Sequence, residues 1–134
     1  MIDTNICIDL MARQPPQVVS RFQRASVGDI VISVVTYAEL CHGVERCQGE
    51  DRDLAAASLR RFTERVPVLA FDEGAAERYG ALAAAVRDRR RDALDRLIAA
   101  HAVGAGATLV TNNEADFAGY PGLVVENWMR ESGA

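Results

Sequence analysis

Lysine is absent from this sequence of 134 residues, in which all 15 positively charged residues are arginine. Its absence excludes chemistries that need a lysine, such as a P-loop, a Schiff base to a cofactor, or an aspartyl phosphotransfer site steadied by an ammonium group. The net charge of −4 argues against a protein that holds nucleic acid by bulk electrostatics. That charge is still compatible with a local basic patch, or with a cation bound among carboxylates.

Cysteines and long apolar runs are also scarce. The three cysteines have no paired spacing, which is typical of reduced thiols in a cytoplasm and not of a disulfide or zinc site. The longest uncharged stretch, residues 97–113, is short for a membrane span and is interrupted by His101 and polar residues. No basic segment followed by an apolar core begins the sequence. We therefore expect a cytoplasmic protein with no secretion signal and no membrane contact.

The length and the pattern of apolar residues indicate a single α/β domain over residues 1–134. Short apolar or β-branched runs predict five strands, at residues 1–3, 30–35, 66–71, 107–113 and 122–128. Spacing near 3.6 and helix start and stop signals predict helices at residues 6–12, 18–25, 36–47, 54–66, 73–91 and 93–106. This alternation indicates a central, mainly parallel five-stranded sheet flanked by helices on both sides.

Four acidic residues fall where predicted strands end on one edge of that sheet. Asp3 follows the first strand, Glu39 lies on the helix after the second, Asp95 lies on an apolar helix face, and Asp116 follows the fourth strand. Ligands of open parallel sheets bind beyond the carboxyl ends of the strands, so we expect these carboxylates to converge. Two carboxylates ~4 Å apart repel by about 4 kcal/mol at an effective dielectric of about 20. A bound Mg²⁺ or Mn²⁺ would relieve that repulsion.

Each of these positions also has a purely structural interpretation. Asp3 could cap the first helix, and residues 36–39 could form a capping box. Asp95 could pair with Arg91 one turn earlier, and residues 111–113 could form only a turn after the strand. The four acids carry more weight jointly than singly, because they share one edge of the predicted sheet.

Four segments together resemble a PIN-domain ribonuclease, and more narrowly a VapC-type toxin of bacterial type II toxin–antitoxin modules. They are "MIDTNICI", "ISVVTYAELCHGVE", "LDRLIAAHAVGAGATLVTNNEADF" and "PGLVVENW". The resemblance covers essentially the whole chain, with the segments in the same order and at the same spacing. It implies a PIN-like fold, hydrolytic cleavage of RNA, inhibition by a VapB-like antitoxin, and a homodimer.

The same resemblance implies roles for particular residues. The implied ligands of Mg²⁺ or Mn²⁺ are Asp3, Glu39, Asp95 and Asp116. The implied hydroxyl and amide helpers are Thr4, Asn5, Thr111 and Asn112, of which Thr111 and Asn112 would orient the attacking water or a phosphate. Asp92 could add a fifth carboxylate.

The arginines at residues 87–91 form the sequence's dense basic run, and two interpretations stay open for them. They could be a solvated helix end, or Arg89, Arg90 and Arg91 could contact phosphates of RNA. We expect the three cysteines to pack in the core, His101 to be a core or interface histidine and not a general base, and Trp128 to close the edge of the sheet.

The sequence therefore predicts a Mg²⁺- or Mn²⁺-dependent endoribonuclease. One alternative is another PIN-like nuclease that acts on DNA or in RNA processing. Supplying the protein with RNA and with DNA separately, in the presence of Mn²⁺, would distinguish these activities. A second alternative is an acidic binding module without catalysis, which Mn²⁺ would not stabilise.

Overall fold

The structure, a computed structural model, describes residues 1–26, 28–86 and 93–130, which form helices and short parallel strands. The strands are β1 (Ile32–Ser33), β2 (Val68–Leu69), β3 (Leu109–Val110) and β4 (Val125–Glu126). The helices are α1 (Thr4–Ile8), α2 (Pro16–Arg24), α3 (Val34–Glu45), α4 (Gly49–Arg65), α5 (Glu73–Ala85), α6 (Ala93–Gly104) and α7 (Glu114–Phe117), with a π-helical turn (Asp9–Arg13) directly after α1. Within these ranges, no helix is long and apolar enough to cross a membrane.

The amino-terminal segment links two parallel strand pairs. Strand β1 pairs with β2, and β3 pairs with β4, both in parallel. Ile2 forms a parallel bridge with Val110, and its N–H donates to the carbonyl oxygen of Val31 at 3.0 Å. The predicted α/β fold with five extended segments is therefore confirmed, although the paired strands are shorter than predicted.

Side chains of neighbouring residues in the extended segments belong to two different hydrophobic cores. Ile2 and Val110 pack with residues of α1 to α4, whereas Met1 and Leu109 pack with residues of α5 to α7. The helix residues of the first core include Ile6, Val18, Leu40 and Leu59, and those of the second include Leu82, Ile98, Ala102 and Phe117. Successive side chains of a strand point to opposite faces, so helices cover both faces of the sheet as predicted.

The second strand ends earlier than the predicted range of 30–35. The Ser33 hydroxyl oxygen accepts a hydrogen bond from the Val35 N–H at 3.0 Å, and helix α3 begins at Val34. Serine is a strong helix cap because its side chain satisfies a free backbone N–H group. The β-branched Val34 and Val35 favour a strand locally, but they lie in the first turn of a helix, so the prediction of a strand through Val35 is wrong.

Two other helices differ from their predicted bounds. Helix α4 begins at Gly49, several residues before the predicted start at Leu54. The helix predicted over residues 73–91 ends at Ala85. Residues 87–92, which include the arginine cluster and Asp92, lie outside the described residues.

The residues predicted to pack in the core are buried or half-buried. His101 is buried, its Nδ1 lies 2.7 Å from the Ser33 hydroxyl oxygen, and its ring meets Phe71 edge-on with centroids 5.4 Å apart. Trp128 is buried just after β4. Cys7 is buried, and Cys41 and Cys47 are half-buried free thiols.

Candidate active site

Asp3 lies where the amino-terminal extended segment meets α1, and it is only 4% exposed. Its backbone N–H donates to the Val110 carbonyl oxygen at 3.0 Å, which anchors it to β3. Its carboxylate Oδ1 accepts from the Ile6 N–H at 3.0 Å, so Asp3 is the N-cap of α1. The cap interpretation is thus correct. It does not exclude a functional role, because the other carboxylate oxygen is not engaged by this cap.

The electrostatics of Asp3 reflect its burial among other acids. Burial raises the pKa of Asp3, and hydrogen bonds from the Thr111 hydroxyl and the Ile6 N–H oppose that shift. The negative charges of Asp9 and Glu39 raise the pKa further. A cation close to these three carboxylates would favour the ionised form of Asp3.

Glu39 reaches the same region from α3. Its Oε1 accepts a hydrogen bond from the Thr4 hydroxyl at 2.7 Å, which joins α3 to the first turn of α1. The capping-box interpretation is wrong, because Ser33 caps α3 and Thr36 lies buried inside the helix. Glu39 is therefore free of a capping role and is turned toward Thr4 and the Asp3 side of the molecule.

The residues after β3 complete this edge of the sheet. Thr111 is fully buried; its hydroxyl lowers the pKa of the Asp3 carboxyl and accepts from the Asn113 N–H at 3.0 Å. The Asn112 side-chain Nδ2 donates to Asp9 Oδ2 at 3.2 Å. Asn112 Oδ1 is buried and has no hydrogen-bond partner among the described residues.

Asp9 is the residue of this site that the sequence analysis missed. It is 3% exposed, and its carboxylate accepts hydrogen bonds from the Asn112 side-chain amide and from Arg13 Nη1, both at 3.2 Å. Its signal in the sequence is an acid within the apolar run of residues 6–11, the same kind of signal that singles out Asp95. A buried carboxylate needs compensation, and here an amide and a guanidinium supply it.

Asp95 and Asp116 stand on the helices that surround this edge. Asp95 is half-buried in the first turn of α6, and Asp116 is exposed on α7. Helix α6 contacts both α3 and α7. In the described part of the chain, however, no group of three or more His, Cys, Asp or Glu side chains is arranged to hold a metal ion. The charges of Glu39 and Asp9 thus act on Asp3, but the described residues do not assemble the predicted four-carboxylate shell.

An open groove of about 620 Å³ adjoins these residues, between α1, the π-helical turn, α3 and α4. Thr4, Asn5 and Glu39 form its polar end, and Leu94, next to Asp95, also lines it. Its apolar walls include Ile8, Met11, Leu40, Val44, Ala55 and Leu59. The groove therefore leads from an apolar surface to the acidic edge of the sheet.

Comparisons with known proteins identify the family of this chain. A family model described as "PIN domain" matches residues 1–123. The tRNA(fMet)-specific endonuclease VapC of Shigella flexneri is 38% identical over 130 residues, which cover 96% of each chain. The structure of VapBC2 from Rickettsia felis, bound to a DNA fragment from their promoter, superposes with a TM-score of 0.87 at 30% identity, over 96% of this chain and 97% of that one. VapBC-1 from nontypeable Haemophilus influenzae superposes with a TM-score of 0.86 at 32% identity, over 97% and 98% of the two chains.

The chain therefore belongs to the PIN-domain family, and its full-length likeness places it with the VapC proteins of that family.

Proposed function

We propose that this protein is an endoribonuclease that depends on Mg²⁺ or Mn²⁺ and acts as the toxin of a type II toxin–antitoxin module. The observation that carries the proposal is the buried Asp3 carboxylate at the carboxyl end of the sheet, on which the charge of Glu39 acts. The relatives named ribonucleases and the solved VapBC complexes support it.

The donor set fits a hard divalent cation. Asp3 and Glu39 would supply carboxylate oxygens, and Asn112 Oδ1, which has no hydrogen-bond partner among the described residues, could supply a neutral oxygen. Mg²⁺ is usually held by one or two carboxylates and keeps several waters, so a cluster of three acids is not required. In this proposal Asp3 and Glu39 hold the ion, while Asp95 and Asp116 act through water or complete the shell when substrate is bound.

The protein's own side chains position these donors. The Thr4 hydroxyl donates to Glu39 Oε1 at 2.7 Å, and the Thr111 hydroxyl favours the ionised form of Asp3. In this proposal Thr111 and Asn112 orient a water or a phosphate at the same edge. When bound, the metal supplies a Lewis acid for a phosphodiester oxygen and lowers the pKa of a bound water.

RNA is the proposed substrate, and the initiator tRNA is the first candidate, because the Shigella relative is named for that specificity. Thr4 and Asn5 line the groove at its acidic end, where a backbone phosphate would approach. We also propose that Arg89, Arg90 and Arg91, which lie outside the described residues, contact phosphates of the RNA. Such contacts would be local, since the net charge of −4 gives no general attraction for RNA.

The proposal further includes a VapB-like antitoxin as partner, a homodimeric state and a cytoplasmic location. The solved VapBC relatives support the partner. The apolar groove next to Glu39 is where we expect a segment of the antitoxin to lie, with an apolar side for the walls and a basic residue toward the acids.

The substitution Asp3→Asn tests the function directly. It keeps the size of the side chain and the oxygen that caps Ile6, but it removes the charge that a cation needs. We expect cleavage of tRNA with Mn²⁺ to fall by at least about 100-fold while circular dichroism is unchanged. The matched control is Asp53→Asn, at an exposed acid on α4, which should cleave like the wild type. An Asp3→Asn protein with wild-type turnover would refute the assignment.

A further inference from the structure

Asp9 is a buried carboxylate to which the proposed reaction gives no role. It begins the π-helical turn that follows α1 and is 3% exposed. Its carbonyl oxygen accepts from the Gln14 N–H at 2.6 Å, which closes the wide turn and fixes the backbone of Asp9. Turns of this kind are frequent at functional sites.

The two carboxylate oxygens of Asp9 have different partners. Oδ1 accepts from Arg13 Nη1 and Oδ2 accepts from Asn112 Nδ2, both at 3.2 Å. The Arg13 side chain is 65% exposed, so solvent screens that ion pair. The bond to Asn112 is partly buried and joins the π-helical turn to the residues that follow β3. It therefore acts directly on the edge of the sheet where the site lies.

This bond sets the direction in which the Asn112 amide faces. An ionised carboxylate only accepts hydrogen bonds, so the NH₂ end of Asn112 must face Asp9 and the carbonyl end must face away. That carbonyl oxygen, Oδ1, is buried without a partner among the described residues. A buried acceptor without a partner is unfavourable, and a bound water or cation would satisfy it.

We propose that Asp9 is a positioning residue, which holds the Asn112 amide so that its oxygen, and not its NH₂ group, faces the reaction site. The inference rests on the proposed function. Asp9 itself touches neither substrate nor metal in this scheme. Without it, the Asn112 amide could rotate and present a donor to a site that needs an acceptor.

Steady-state cleavage of tRNA with Mn²⁺ by a set of variants tests this role. We expect Asp9→Ala to lower kcat about 10-fold and to leave KM within about 2-fold, because orientation of the reacting groups is lost and not binding. Asp9→Asn should stay within about 3-fold of the wild type, since its amide oxygen accepts the same bond. Asp9→Leu fills the volume of the aspartate but offers no hydrogen-bond acceptor, so its kcat should fall as in Asp9→Ala. This variant shows that the loss of kcat does not come from a cavity.

A double substitution isolates the path through Asn112. Asn112→Ala should lower kcat to a similar extent, and Asp9→Ala added to it should cause no further loss, because residues that act through one contact are not additive. Asp53→Ala is the matched control and should leave kcat unchanged.

The outcomes separate this inference from the proposed function. A wild-type protein that does not cleave RNA with Mn²⁺ overturns the proposed function and this inference with it. An active wild type with an equally active Asp9→Ala variant overturns this inference alone. So does an Asp9→Asn variant as impaired as Asp9→Ala, or a further loss of kcat on adding Asp9→Ala to Asn112→Ala.

Discussion

His101 ties three elements together through a single buried side chain. Its Nδ1 lies 2.7 Å from the hydroxyl of Ser33, the residue that ends β1 and caps α3, and Phe71 packs edge-on against its ring. Burial lowers the pKa of His101, while the Asp72 carboxylate and a backbone hydrogen bond at Ala70 oppose the shift. The neutral imidazole is therefore the form that the folded protein favours.

The pH dependence of stability should reveal this histidine. Below the ordinary pKa of 6.5 and above the lowered pKa of the folded state, the unfolded chain binds a proton at His101 that the folded chain does not. The free energy of unfolding should therefore fall as the pH drops through this window. The midpoint of thermal unfolding, measured from about pH 7.5 to about pH 5.5, should depend less on pH for His101→Gln than for the wild type.

His42→Gln, at an exposed histidine on α3, is the control and should keep the wild-type dependence. If stability fell equally with pH in the wild type and in His101→Gln, the account of His101 would be contradicted.

Single residues also show how far a sequence can define a site. The positions of Asp3 and Glu39 follow from strand order, because carboxyl ends of parallel strands share one edge. Their hydrogen-bond partners do not follow, because the bond of Thr4 to Glu39 spans 35 positions and that of Asn112 to Asp9 spans 103. Such pairs depend on how helices pack and on side-chain rotamers, which local patterns do not encode.

Helices α5 and α6 come into close contact where Gly104 meets Ala75. A Cβ atom added to Gly104 would lie 3.2 Å from backbone atoms of Ala75, which is buried. That distance is shorter than the optimal contact of about 3.5–4.0 Å between carbon atoms. Since the neighbouring atoms belong to the backbone, they cannot move aside as a flexible side chain would.

Two glycine substitutions should therefore change stability in opposite directions. Gly104→Ala should lower the free energy of unfolding by about 1–3 kcal/mol, because it forces α5 and α6 apart. Gly80→Ala, at an exposed position of α5 with nothing within 4 Å, should raise it by about 0.5–1 kcal/mol through helix propensity. Urea unfolding of both variants measures the difference, and a Gly104→Ala protein as stable as Gly80→Ala would contradict this packing.

The order of elements could be predicted from the sequence, but several boundaries could not. Val34 and Val35 favour a strand through their β-branched side chains, yet the Ser33 cap places them in α3. Helix α4 starts at Gly49, although glycine is a poor helix former, with Glu50 and Asp51 in its first turn. The Ser33 cap sets the boundary between β1 and α3. Acidic residues, which are favourable at a helix amino terminus, accompany the start of α4.

The whole molecule combines a negative net charge with an apolar groove that ends at acidic residues. The charge is −4, and the groove of about 620 Å³ is open along α3 and α4. An RNA substrate must therefore be bound through local contacts, whereas a partner with an apolar, basic segment would suit the groove. This contrast is what we expect of an enzyme whose partner protein covers its site.

Binding of the proposed VapB-like antitoxin tests the groove. Ala55→Arg places a long charged side chain in the wall formed by α4, and we expect it to weaken binding at least about 10-fold, since the apolar contacts would be lost. Asp53→Arg lies on the same helix and is exposed, so it should bind within about 2-fold of the wild type. Calorimetric titration gives both affinities, and undiminished binding by Ala55→Arg would place the partner elsewhere.

The central claim is that a divalent cation held beside Asp3 and Glu39 is required for RNA cleavage. The most direct measurement is the rate of tRNA cleavage by chelator-stripped protein as Mn²⁺ is added back. We predict no cleavage without metal, and a saturable return of activity that Asp3→Asn does not show. Turnover that survives complete removal of divalent metal would contradict the claim.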